Sequence, residues 1–139
     1  MASYFGSVSA NIISMKDHKH TTQQSGVPVP AHAELIRELI NCALACDACA
    51  SACLNEEDVS LMTRCIELDH DCADICALGA RLLMRESESA AHYLVLAEEI
   101  CQLCADECDK HEHAHCKACA AACLSCAEAC RTNHSSMTK

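Results

Sequence analysis

The stretch His115 to Cys130 reads HCKACAAACLSCAEAC, with cysteines at 116, 119, 123, 126 and 130, so the steps are 3, 4, 3 and 4. Steps of three and four keep a residue type on one face of an α-helix. The same alternation runs through three more segments. One seam reads Leu35, Leu39, Cys42, Cys46, Cys49, Cys53. A second reads Met62, Cys65, Asp69, Cys72, Cys76. A third reads Leu94, Ala97, Cys101, Cys104, Cys108 and then His111. All 15 cysteines fall on these four seams. Such positions face the core of a left-handed bundle. The expected fold is all-α: an antiparallel up-down-up-down four-helix bundle with a Cys-lined core. With only 3 Gly and 2 Pro, little interrupts long helices.

The chain divides accordingly. Residues 1–30 read as a tail, polar and ending in VPVP, with room for a short helix near Tyr4 to Met15. The bundle spans 31–131, with Pro30 suited to the first turn of its first helix. Helices are expected over roughly 31–54, 57–85, 89–110 and 115–131. Asn55 to Asp58 breaks the first and supplies acids to the second. Arg85 to Ser89 turns the chain, with Ser87 or Ser89 as cap. Residues 132–139, TNHSSMTK, read as a frayed polar tail.

The links near 53–58 and 110–115 lie at one end of an up-down bundle. Counted from there, every cysteine falls within about 18 residues, roughly 27 Å of helix. Leu35, Ile36, Leu39, Leu78, Leu82, Leu83, Leu94 and Leu96 gather at the other end, and Met84 reads as packing there. One end is then an aliphatic plug and the rest a tube lined with sulfur. Its mouth carries Met62, His111, His113 and His115. The composition agrees: 51% of residues are hydrophobic but only 2% aromatic, so the core is small and aliphatic or filled with something other than carbon.

A net charge of -10 argues against nucleic acid, which needs basic patches. No apolar run approaches the roughly 20 residues of a membrane span. The N-terminal stretch has neither the charged start nor the apolar core of a signal peptide, so a reducing cytoplasmic location is expected. Thiols there need a purpose. Small apolar filling suits one or two cysteines, not fifteen on four seams. Disulfides within a seam would be strained, because i and i+4 Cβ atoms sit roughly 5–6 Å apart. Thiolates select soft ions, which leaves Cu(I), zinc or iron–sulfur clusters. Zinc wants four ligands in a tetrahedron, and a single ladder has no natural grouping into fours. Iron–sulfur cages are usually cradled by loops. Cu(I) accepts two sulfurs in line, which each C-x3-C can offer: Cys42/Cys46, Cys49/Cys53, Cys72/Cys76, Cys104/Cys108, Cys119/Cys123 and Cys126/Cys130. Isolated bis-thiolate units would leave negative charge in a dry core. Bridging thiolates at on the order of one Cu(I) per Cys make it nearly neutral. The expectation is a multi-ion Cu(I) store rather than an enzyme, with an iron–sulfur or zinc thiolate protein of redox or detoxification role as the alternative.

Repeated C-x3-C pairs on four helical seams resemble the bacterial copper storage proteins, in their cytosolic branch, over residues 31–131. The resemblance implies a four-helix bundle filled with Cu(I) and assembled as a homotetramer. It also implies an open end where His or Met admits copper, a role that falls here on His111, His113 and Met62. Asp69 departs from the pattern, standing where the ladder predicts Cys. As a hard ligand it marks a gap or a differently coordinated ion.

Overall fold

The computed structural model describes residues 30–137, so the expected helix near Tyr4 to Met15 lies outside the described residues. Four α-helices make up most of the described residues: α1 (Ala33–Leu54), α2 (Thr63–Met84), α3 (Ala90–Cys108) and α4 (Ala114–Met137). Each packs on its two neighbours in chain order, α4 closes the ring against α1, and diagonal pairs stay apart. This is the expected up-down-up-down bundle. Its helices are rich in Ala and Leu, both good helix formers.

The helix ends depart from expectation in informative ways. Pro30 precedes the first helix instead of sitting in its first turn; His32 takes a left-handed conformation (φ 63°) and its carbonyl accepts from Ile36 N at 3.0 Å. The second helix starts late, because a 3-10 turn, Val59–Met62, intervenes and drives Met62 into the core. Helix α2 ends with Glu86 in the left-handed region (φ 51°). Glu86 N donates to Leu83 O at 3.1 Å and Ser87 N to Leu82 O at 2.9 Å, the paired bonds of a Schellman stop. Ser89 occupies the N-cap of α3 but its side chain makes no cap bond; Ser87 Oγ instead accepts from Ser89 N at 3.2 Å.

The fourth helix does not fray at 131. It runs on to Met137, and its polar side chains bond back to carbonyls one turn earlier: Thr132 to Glu128 O at 3.0 Å, Asn133 to Ala129 O at 2.8 Å and Ser135 to Arg131 O at 2.9 Å. His134 meets Glu98 at 2.5 Å, and Met137 packs against the core.

The core has the two expected halves. Leu35, Leu39, Leu82, Leu83 and Leu94 are buried as a plug around the start of α1. Leu96 and Met84 are exposed and do not fill it, while Leu78 packs against the core half-buried. Leu96 is two residues from buried Leu94, which turns it to the opposite side of α3. Beyond the plug, all fifteen cysteines are buried and free. Buried alanines on all four helices, among them Ala50, Ala73, Ala105 and Ala120, let the backbones close around them.

Candidate metal centre

Each helix contributes one row of sulfur, and the rows meet across the bundle. Within C-x3-C pairs the sulfurs lie close: Cys49–Cys53 3.9 Å, Cys72–Cys76 4.0 Å, Cys104–Cys108 3.9 Å and Cys119–Cys123 4.0 Å. Between helices they lie as close or closer: Cys65–Cys108 3.3 Å, Cys46–Cys123 3.5 Å, Cys72–Cys101 3.5 Å and Cys76–Cys101 3.5 Å. The pairs therefore do not stand apart as units.

Donor atoms converge instead in groups of four, all within 4.8 Å of one another. Cys42, Cys76, Cys101 and Cys126 form a layer with one thiol from each helix. Cys42, Cys46, Cys72 and Cys123 form a second group drawn from three helices, and Cys46, Cys104, Cys119 and Cys123 a third. At the mouth Cys49 and Cys53 join Cys116 and His115 on one side, and Cys65 and Asp69 on the other. Grouping into fours, absent within any one ladder, thus appears across helices. Cys42, Cys46, Cys49, Cys53 and Cys123 each belong to at least two groups. A thiolate held in common is a bridging ligand. Metal–sulfur bonds of about 2.3 Å place linear partners about 4.6 Å apart but the corners of a trigonal site about 4.0 Å apart. The interhelical spacings fit the second geometry and shared sulfurs. Cys130, the last cysteine along α4, is fully buried.

Asp69 fills its place in the ladder as a fully buried side chain. Its Oδ1 accepts from the thiols of Cys104, Cys119 and Cys108 at 3.2, 3.3 and 3.4 Å, and Cys65 lies 3.9 Å from Oδ2. Burial, followed by the charge of Cys119, raises its pKa to about 8, so the acid is largely neutral at pH 7. Burial likewise raises Cys53 to about 11 and pushes Cys116 up. Hydrogen bonds from Cys108 and then Cys49 act the other way on Cys65 and lower it. A soft cation binding at Cys53 and Cys116 displaces their protons.

The mouth histidines take three different positions. His111 stands just past the end of α3, its Nε2 buried without a hydrogen-bond partner and 3.7 Å from Glu107 Oε1. His113 lies in the α3–α4 link, with Nε2 3.2 Å from Asp58 Oδ1 and Nδ1 3.6 Å from Glu56 Oε1. It faces carboxylates rather than sulfur. His115 reaches the thiols: its Nδ1 is 3.5 Å from Cys116 Sγ, 3.7 Å from Cys49 Sγ and 3.8 Å from Cys53 Sγ. Seam counting favours His111 and His113 over it. The signal it offers is its spacing of four from Cys119, which puts both on one face of α4.

Residues 30–135 match the copper storage protein family. An uncharacterized cysteine-rich protein, YhjQ, of Bacillus subtilis (strain 168) is 43% identical over 97 residues, 70% of this chain and 90% of the relative. The structure of the Cu(I)-bound copper storage protein BsCsp3 superposes with a TM-score of 0.69 at 42% identity, covering 71% of this chain and 93% of that one. A cytosolic copper storage protein from Streptomyces lividans carrying five coppers superposes with a TM-score of 0.70 at 42% identity, over 72% and 88% of the two chains. Sulfur ladders, bundle topology and sequence agree: this chain belongs to the copper storage protein family.

Proposed function

We propose that this protein stores and buffers Cu(I) in the cytosol as a binding protein without turnover. It holds many ions on its core thiolates, at on the order of one per cysteine. The observation that carries this reading is the sharing of thiols between four-donor groups. A single-ion chaperone or an electron carrier needs one closed set of ligands; shared sulfurs serve an array. The fully buried setting selects the ion as well. A four-thiolate zinc site keeps two negative charges, costly in a dry core, whereas one Cu(I) per bridging thiolate is neutral.

The proposed ligands are the 15 cysteines, with His111, His113 and Met62 assisting at the mouth. The buried, unpartnered Nε2 of His111 and the burial of Met62 support that part of the reading. The position of His115 against three thiols adds it to the set. The family further suggests a homotetramer, for which exposed Val95, Leu96 and Leu103 on α3 offer apolar surface; light scattering on the purified protein tests it.

The deciding experiment is a Cu(I) titration of reduced metal-free protein against a chromogenic chelator. Saturation near or above the cysteine count supports the store. Saturation at one or two ions refutes it.

A further inference from the structure

We infer that Glu56 is a positioning residue: it fixes His115 in the tautomer whose Nδ1 lone pair faces the outermost sulfurs. This rests on the reading of the mouth as the route by which copper reaches the thiols.

Glu56 Oε1 lies 3.0 Å from His115 Nε2. A carboxylate only accepts hydrogen bonds, so the ring proton of the neutral imidazole belongs on Nε2. Nδ1 is then a bare acceptor, set 3.5 to 3.8 Å from the sulfurs of Cys116, Cys49 and Cys53. In the metal-free protein those thiols donate to it. Once Cu(I) displaces a thiol proton to solvent, the nitrogen lone pair is already aimed at the ion. The other tautomer would direct an N–H at the same sulfurs and offer the ion no lone pair.

The clasp is built from the α1–α2 link. Glu56 N donates to Cys53 O at 3.2 Å, which ties the acid to the turn that carries Cys53. His113 stacks on His115, with ring centroids 5.2 Å apart and planes 9° from parallel. Asp58 holds the outer face of that stack through His113 Nε2, at 3.2 and 3.3 Å from its two oxygens. Metal-bound histidines commonly donate their second N–H to a carboxylate, which sets the ring and strengthens it as a ligand. Here that partner stands in place before any ion arrives.

The test uses the full chain, reduced and metal-free, with 15N-labelled histidine at about pH 8, above the ordinary imidazole pKa. Long-range 1H–15N correlation reads the tautomer directly. Wild type should show His115 protonated at Nε2. Glu56→Ala should move the tautomer ratio by about tenfold, the value of one charge-assisted hydrogen bond. It should also slow initial Cu(I) uptake from a chelator by roughly 3- to 10-fold, leaving saturation unchanged. Glu56→Gln keeps an acceptor oxygen and should retain the wild-type pattern. Asp58→Asn should leave it unchanged, since Asp58 touches His113 alone of the pair. A wild-type pattern in Glu56→Ala overturns the inference, as does an equal shift in Asp58→Asn or an unchanged uptake rate despite a changed tautomer. The metal-free spectrum judges Glu56, and copper bound at saturation by wild type separately judges the storage reading.

Discussion

Changing Asp69 to Asn should stabilise the reduced, metal-free bundle, and by more as pH rises. Asp69 is fully buried, and its pKa is raised from 3.8 to about 8, chiefly by burial and next by the charge of Cys119. In the unfolded chain the carboxyl ionises near pH 4, while in the bundle it holds its proton until about pH 8. The folded pKa is the higher one. Its contribution is therefore fully present below about pH 4 and is lost as pH rises through about 8. Each pH unit in that window removes about 1.4 kcal/mol, which sums to on the order of 5 kcal/mol by pH 8. Asn has nearly the same shape and does not ionise. The asparagine-minus-aspartate difference in unfolding free energy should thus start near its floor at pH 4, climb steadily, and flatten above pH 8. Urea titrations under nitrogen with a metal chelator present measure it at each pH. The thiols titrate in both proteins, so most of their contribution cancels in the difference. A difference that stays flat between pH 4.5 and 8 would refute the reasoning, since it would mean that Asp69 is ionised inside the bundle.

Replacing Cys123 with Ser removes a thiol shared by at least two donor groups, so copper bound at saturation should fall by more than one equivalent per chain. Leu39→Ala empties the centre of the plug, where Leu39 is fully buried, and should cost about 2–5 kcal/mol in urea unfolding. Gly79→Ala should raise stability by up to about 1 kcal/mol: Gly79 is inside α2, and an added Cβ would meet Leu39 at an ordinary 3.6 Å. Glu86→Gly should raise the thermal midpoint, with a gain of about 1 kcal/mol, because Glu86 takes the left-handed conformation at the end of α2.

The seams were legible because helical periodicity is a property of one segment at a time. Steps of three and four put Cys42 to Cys53 on one face whatever α1 packs against. Layers across the bundle are different. That Cys42, Cys76, Cys101 and Cys126 meet depends on the relative heights of four helices, and those heights depend on links that spacing does not encode. The late start of α2 after a 3-10 turn is one such adjustment. The histidines show the same boundary. Counting three back from Cys116 assumes a helix, but His113 stands outside α4, which begins at Ala114. His115 lies inside it, and its ring bends inward to the sulfurs from a position next to the seam. The end of α4 was misread because Thr, Asn and Ser look like fraying residues. Their side chains fold back onto carbonyls four residues earlier, while His134 on Glu98 and Met137 on the core hold the last turns in place.

The arrangement meets two demands that usually conflict. A core must exclude water and carry no unbalanced charge, yet a metal store must present many ligands there. Protonated thiols satisfy the first demand while empty, since burial resists their ionisation and they pack as small apolar groups. Loaded with about one Cu(I) each, the same positions are again nearly neutral. Neutrality in both states removes the need for metal to drive folding. The aliphatic plug can hold the empty bundle together, and the reduced metal-free protein should give a helical circular dichroism spectrum. A random-coil spectrum would show instead that copper assembles the bundle. Asp69 obeys the same rule as its neighbours, because a buried acid is tolerated in a sulfur ladder only while it keeps its proton or meets a cation.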